Sequence, residues 1–279
     1  MEAWFPAAAG VFGLLIGSFL NVVIWRVPRG ESLLLDSHCP SCDAPIRPLQ
    51  NVPVISWLVL RGRCANCRDR ISVRYPLVEI TTGVAFGLVA WWVTNRVGAA
   101  TLVGAADALS AIAAWLVLAA YLWLAAISIA LTLIDLEHQR LPDAIVLPSI
   151  AVVTVLLGLA AALTGNWAQL VSTLAGAAIL FVAYFTIVLI YPRGLGGGDV
   201  KLAPVLGAAL GFVGWDALAV GAFAGFVLGA FYGLSLIALR RGGRKTEIPF
   251  GPFMIAGAWL GLWVGPALMH AYLSLWALG

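Results

Sequence analysis

The sequence predicts an all-α polytopic membrane protein of about eight transmembrane helices, with one small cytoplasmic loop built around zinc knuckles. Three observations carry this. Of 279 residues, 62% are hydrophobic and 10% charged, against about 25% charged in soluble domains. Apolar runs near the ~20 residues that a bilayer-spanning helix needs recur along the chain. All four cysteines lie within residues 26–75, the only sizeable polar segment.

Taken in order, the segments are a first transmembrane helix within residues 1–25, the tetracysteine loop 26–75, and a membrane-embedded domain 76–279 of about seven helices. The first apolar run, 7–25, lacks a basic leading region and a convincing cleavage site, so it reads as a retained span and not a removed signal peptide. The remaining spans are expected at 76–93, 110–134, 144–163, 169–191, 202–213, 216–238 and 250–276. The run at 202–213 is too short to cross upright, and is expected to be tilted, broken or buried among other helices. Basic residues accumulate on cytoplasmic loops. With eight spans, fifteen of the 16 Lys and Arg residues fall in or beside loops near 26–75, 135–143, 192–201 and 239–249, and only Arg96 falls opposite. That places the basic side in the cytoplasm and both termini outside. Such a face favours anionic lipid headgroups, and nothing in the pattern asks for nucleic acid.

The cysteines form an internal repeat. "CPSCDAPI" and "CANCRDRI" share the pattern C-x-x-C-x-x-x-I, and 21 residues separate Cys42 from Cys64. Two tight turns that aim four thiolates (Cys39, Cys42, Cys64, Cys67) at one point suit tetrahedral Zn²⁺, with an isoleucine expected beneath each turn. Two disulfides are the alternative, but thiols on the cytoplasmic side stay reduced. A closed site of four thiolates is structural, and His38 reads as a surface neighbour. A loop this short depends on metal for much of its folding energy.

Acids are few in the rest of the chain. Asp107 and Asp216 are expected on the outer side as solvated groups. Glu137 and Glu247 balance nearby arginines. Glu79, early in the second span, is expected to pair with a loop arginine. Three more gather on the cytoplasmic side. Asp143 follows Pro142 and reads as a helix N-cap. Asp199 precedes the sixth span and admits the same reading. Asp135 ends the third span, in "LTLIDLEHQRLPD", where a negative charge is unfavourable. Asp135 and Asp199, at one depth and each beside a connecting loop, suggest a carboxylate dyad. The helix ends favour Asp199 as the ionised base and Asp135 as the protonated acid. Gly196, Gly197 and Gly198 can adopt positive φ and let another backbone approach closely, as an extended peptide would need. The Walker phosphate pattern is absent. Lys201 steadies a nearby carboxylate or simply marks the inner membrane face.

At these residues the chain resembles the type IV prepilin peptidases, a family of membrane-embedded aspartyl proteases. Asp135 through "LPD" at 141–143 fits one family motif. Gly196, Gly198, Asp199 and Lys201 fit another, G-x-G-D-x-K. "GSFLNVVIWRVP", the paired CxxC units, "NVPVISWL", "RYPLVEI" and "PFGPF" extend the likeness over nearly the whole chain. The tetracysteine loop marks the long, bacterial form. The resemblance implies cleavage of the basic leader from prepilins and pseudopilins, after a glycine, at the cytoplasmic face of the inner membrane. Asp135 and Asp199 would be catalytic, with the glycines, Lys201, Asp143 and Glu79 nearby or supporting. It also implies, for some members, methylation of the new N-terminus with S-adenosylmethionine, although no methyl-donor motif is recognisable. A proton- or cation-coupled transporter is the main alternative. A metal-binding scaffold with merely structural aspartates is a third.

Overall fold

The computed structural model describes residues 4–102, 107–191, 195–239 and 248–277. Arg193, Glu247 and most of the basic loop expected at 239–249 lie outside them. Ten α-helices are present among the described residues: α1 Trp4–Arg26, α2 Ile55–Val59, α3 Arg74–Val97, α4 Ala99–Leu102, α5 Ala108–His138, α6 Asp143–Leu163, α7 Trp167–Ile190, α8 Gly197–Val213, α9 Trp215–Ala238 and α10 Gly251–Ala277. Seven of these, α1, α3, α5, α6, α7, α9 and α10, are long and apolar enough to cross a membrane. The eighth expected span is α8. At 17 residues it is about 26 Å long, and twelve of its residues are buried. It is the enclosed helix of the bundle.

Lipid gives no hydrophobic drive for one apolar helix to leave it for another, so close backbone approach and a few hydrogen bonds must hold such a bundle together. Glycines supply the approach at three antiparallel seams. On the first, Gly10, Gly13 and Gly17 of α1 lie against Gly83, Thr82 and Glu79 of α3. On the second, Ser172 and Gly176 of α7 meet Gly211 and Gly207 of α8. On the third, Gly221 and Gly225 of α9 meet Gly261 and Gly257 of α10. A Cβ at any of these positions on α8 or α10 would collide with backbone, which no side-chain rearrangement relieves. Hydrogen bonds tie the seams together. The buried Tyr121 hydroxyl donates to the Ala209 carbonyl at 2.8 Å. Trp259 and Trp123 donate to Ser128 and Ser149, each at 3.0 Å. The outer faces of α7 and α9 remain apolar and exposed, with Val171, Phe181, Phe223 and Phe231 pointing outward, as helices solvated by acyl chains require.

Helix ends depart from expectation in ways that matter at the end of the bundle that carries Asp135 and Asp199. α5 runs a full turn beyond 134 to His138, and its 31 residues span about 46 Å. α8 begins five residues before 202, which takes Gly197, Gly198 and Asp199 into its first turn. The caps are also redistributed. Asp107, expected only to be solvated, caps α5 through the Ser110 N–H at 2.9 Å. Asp143 does not cap α6, because Pro142 holds the N-cap position and Asp143 is the first helical residue.

Candidate active site

The tetracysteine loop folds as two copies of one turn, 25 positions apart. Cys39 N–H donates to Ala44 and Asp43 N–H to Cys39. In the second copy Cys64 N–H donates to Asp69 and Arg68 N–H to Cys64. Asp43 and Arg68 occupy the same left-handed position, at φ 57 and 64. All four sulfurs lie within 4.8 Å of one another, the thiols are free, and Cys39 and Cys67 Sγ are 3.8 Å apart. Tetrahedral ligation at about 2.3 Å sets sulfurs about 3.8 Å apart, whereas a disulfide needs about 2.05 Å. Backbone N–H groups of Cys67 and Asn66 pull the Cys64 thiol down to about 6. The Asp69 backbone favours the Cys67 thiolate too, but desolvation and the neighbouring thiols push that group up to about 12. One thiolate thus resists the next until a cation offsets their repulsion. The isoleucines expected beneath the turns are not enclosed: Ile71 is half-buried and Ile46 exposed. Above the loop, the buried Arg26 guanidinium donates to the carbonyls of Ser32, Leu33, Leu35 and Asp36, so it serves the loop's fold as well as its charge.

Asp135 and Asp199 both lie in the membrane domain's buried interior, at 5% and 6% exposure, and the two carboxyl groups interact electrostatically. Asp199, in the first turn of α8, accepts the Gly196 N–H at 2.9 Å through Oδ2. Asp135, one turn before the end of α5, accepts the Gly251 N–H at 3.2 Å through Oδ2. Gly251 is the first residue of α10. A helix N-terminus therefore faces Asp135 and offsets the unfavourable end of α5. The expected asymmetry between the two acids loses its basis, since each now meets the amino end of a helix. Leu141 sits between them, packed against Gly198 on one side and against Gly251 on the other. Tyr184 joins the Asp199 side, within an aromatic group that includes Phe226 and Phe250.

The glycines work differently from expectation. None of Gly196, Gly197 or Gly198 has positive φ; Gly196 is extended and the other two are helical. A Cβ on Gly198 would strike Leu141 at 2.9 Å, while Gly197 borders open space. Lys201 steadies a carboxylate, that of Asp143, at 2.8 Å to both oxygens. This pair is half-exposed and joins α6 to α8. Among the described residues Glu79 has no arginine partner. It accepts the Val54 N–H at 2.7 Å, while Arg74, the arginine nearest in sequence, pairs with Glu137. Leu141 and Gly251 stand within the quoted "LPD" and "PFGPF" motifs but were given no role from sequence, and Tyr184 was not singled out. For Gly251 the usable signal is a glycine between two Pro-Phe groups at the start of a span.

The arrangement offers two buried carboxyls, each oriented by a backbone N–H and both beside glycines packed on Leu141, at one end of the bundle. Such a pair can hold a water and divide general acid and base roles. Comparison with known proteins agrees in extent. Residues 11–93 match the bacterial peptidase A24 N-terminal domain, and residues 122–234 the type IV leader peptidase family. A prepilin leader peptidase/N-methyltransferase of Pseudomonas putida is 35% identical over 98% of this chain and 95% of its own. Proteins of the same description from Neisseria gonorrhoeae and Pseudomonas aeruginosa are 35% and 34% identical, over 90% and 95% of this chain and 88% and 92% of theirs. No solved structure matches the chain.

Proposed function

Since the chain belongs to the type IV leader peptidase family, we propose that it is a membrane aspartyl endopeptidase that removes the basic leader of prepilins and pseudopilins after a glycine. The observation that carries this reading is the buried Asp135–Asp199 pair, each member fixed by a backbone N–H. One carboxylate takes a proton from water as the water oxygen bonds to the scissile carbonyl carbon. The other carboxyl protonates the carbonyl oxygen. Collapse breaks the C–N bond, the nitrogen takes up a proton, and the products are a leader carboxylate and a free amine. No acyl-enzyme forms, so no Ser-His or Cys-His set is needed.

The substrate's apolar helix has a path. A groove of about 640 Å³ runs between α3, α5 and α10, walled by Leu77, Val78, Ile129, Leu133, Ile255 and Trp259. Its walls reach Leu133, two residues from Asp135, and Arg74. An apolar helix lying there presents the residues before its own start to the carboxylates. The charge segregation of the loops supports a cytoplasmic setting for this end, in a bacterial cell with the protein in the inner membrane. The four thiolates hold a structural zinc ion, which fits the sulfur spacing. The alternative reading as a transporter finds no support in the relatives, and the acids gather at one end of the helices.

The second activity named for the relatives is N-methylation. For this chain it means that the freed amine forms an N–C bond as the C–S bond of S-adenosylmethionine breaks, with the bonding pair left on sulfur and a proton released from nitrogen. The deciding experiment incubates detergent-solubilised protein with a purified prepilin, with and without S-adenosylmethionine, and measures product mass. Loss of the leader in both reactions, with one added methyl group only in the second, is expected. An intact prepilin in both contradicts the peptidase reading.

A further inference from the structure

A second cavity, of about 860 Å³, lies between the tetracysteine loop and the cytoplasmic ends of α1 and α3. Unlike the apolar groove, it has substantial polar walls. Its lining includes Asn21, Trp57, Tyr75 and Glu79. Arg74 lines both spaces, so it is a wall that the cavity and the groove share. The Arg74 pair with Glu137 brings this shared wall to the same end of α5 as Asp135.

Three features describe what the cavity would hold. Glu79 is 7% exposed, and the ion pairs among the described residues are His38–Asp43, Arg74–Glu137 and Lys201–Asp143. Its carboxylate is held by the Val54 N–H and the Ser18 side chain, and among the described residues no ion pair reaches it. Arg74 Nη2 is buried without a hydrogen-bond partner. Aromatic rings line the same cavity, among them Trp57, which is itself fixed by donating to the Ile71 carbonyl at 3.2 Å. A ligand that matches carries a cationic centre, a carboxylate and a flat ring system. Carboxylates and aromatic faces stabilise soft onium cations, and guanidinium groups take carboxylates.

We infer that this cavity is the S-adenosylmethionine site, with Glu79 facing the sulfonium, Arg74 the ligand's carboxylate, and the aromatic walls its adenine. The inference rests on the reading of the chain as a peptidase and N-methyltransferase, and assigns the second activity to a place the sequence did not reveal. It also gives the tetracysteine loop a role: the loop is the outer wall of the donor site. The groove would bring the cleaved helix's new amine to Arg74, the wall that the two spaces share, so one binding event can serve both reactions.

Two measurements on the full-length, zinc-loaded protein in nanodiscs test it, and neither needs turnover. Ultraviolet photolabelling with methyl-labelled S-adenosylmethionine, followed by peptide mapping, should place the label within residues 21–25, 54–57 or 74–79. Calorimetric titration should show Glu79→Gln binding the donor more weakly by about tenfold or more, the scale of one lost charge contact. This comparison is made at an unchanged melting temperature. Glutamine keeps an acceptor for the Val54 N–H, so the loop's anchor survives. S-adenosylhomocysteine, which lacks the sulfonium charge, should lose much less affinity in the same variant. Asp199→Asn should bind the donor as the wild type does although it cannot cleave, which separates failure of the donor site from failure of the peptidase reading. Label confined to α6–α9, equal affinities of the wild type and Glu79→Gln, or no binding by the wild type would each overturn the assignment.

Discussion

Replacing Gly251 by alanine isolates the positioning of Asp135 from its chemistry. A Cβ at 251 would stand 2.8 Å from Asp135 Oδ2, and 3.3 and 3.4 Å from the Leu141 methyl carbons. Ordinary carbon–oxygen contact is about 3.4 Å, so something must move by roughly half an ångström. The backbone of α10 is held by its seam with α9, and Leu141 is packed against Gly198. The easiest relief is rotation of the Asp135 carboxyl, which stretches its 3.2 Å hydrogen bond from Gly251. Catalytic groups tolerate about 0.5 Å of displacement, and a misplacement of 1 Å costs about a hundredfold. Gly251→Ala should therefore lower kcat for prepilin cleavage by about 10- to 100-fold, equivalent to about 1.4–2.7 kcal/mol of barrier. Alanine is the better helix former, so the melting temperature should hold or rise. Single-turnover cleavage with a fluorescent prepilin, beside a thermal melt, reads both. Cleavage within twofold of the wild type would show that the Gly251 N–H does not orient Asp135. A large fall in melting temperature would show that the clash is relieved through the α9–α10 seam instead.

Other outcomes follow from the same contacts. Asp143→Asn removes a half-exposed pair with Lys201, a class worth below about 1 kcal/mol; its cleavage rate should stay within about fivefold of the wild type, and a loss of a hundredfold or more would place Asp143 in the chemistry. Tyr121→Phe deletes the buried bond to the Ala209 carbonyl and should lower stability by about 1 kcal/mol, read as an earlier denaturation midpoint; an unchanged midpoint would remove this bond from the α5–α8 contact. Metal analysis should give about one zinc per chain, and chelation should expose residues 26–75 to protease while α5–α10 stay protected. Equal protease resistance with and without chelator would mean that the loop folds without metal.

What the sequence reveals and what it hides divides along physical lines. Spans are legible because lipid demands long apolar helices, and the cysteine repeat because four sulfurs at one point need two similar turns. Residues 197–199 read as loop because three glycines usually break a helix. Yet the first turn of a helix has no intrahelical N–H bonds to lose, so Asp199 can close it through Gly196. The Gly251–Asp135 contact joins residues 116 positions apart, and no local pattern encodes it. The same holds for Arg74, which has Asp69 and Glu79 five residues away on either side but whose partner is Glu137 on another helix. Asp135 and Asp199 themselves were conspicuous because a carboxylate near an apolar span is costly. The glycines inside the spans carried no reading in the sequence, because which helices they join depends on the packed bundle.

The central claim is that Asp135 and Asp199 act as one unit on a single water, and a double-mutant cycle tests it most directly. Cleavage of a purified prepilin is timed for the wild type, Asp135→Asn, Asp199→Asn and the double variant, all with matched melting temperatures. The account predicts that each single change costs at least about a thousandfold and that the double change costs no more than either, as for groups that work together. Substantial cleavage by either single variant, or losses that multiply in the double variant, would mean that the two carboxyls do not share the reaction.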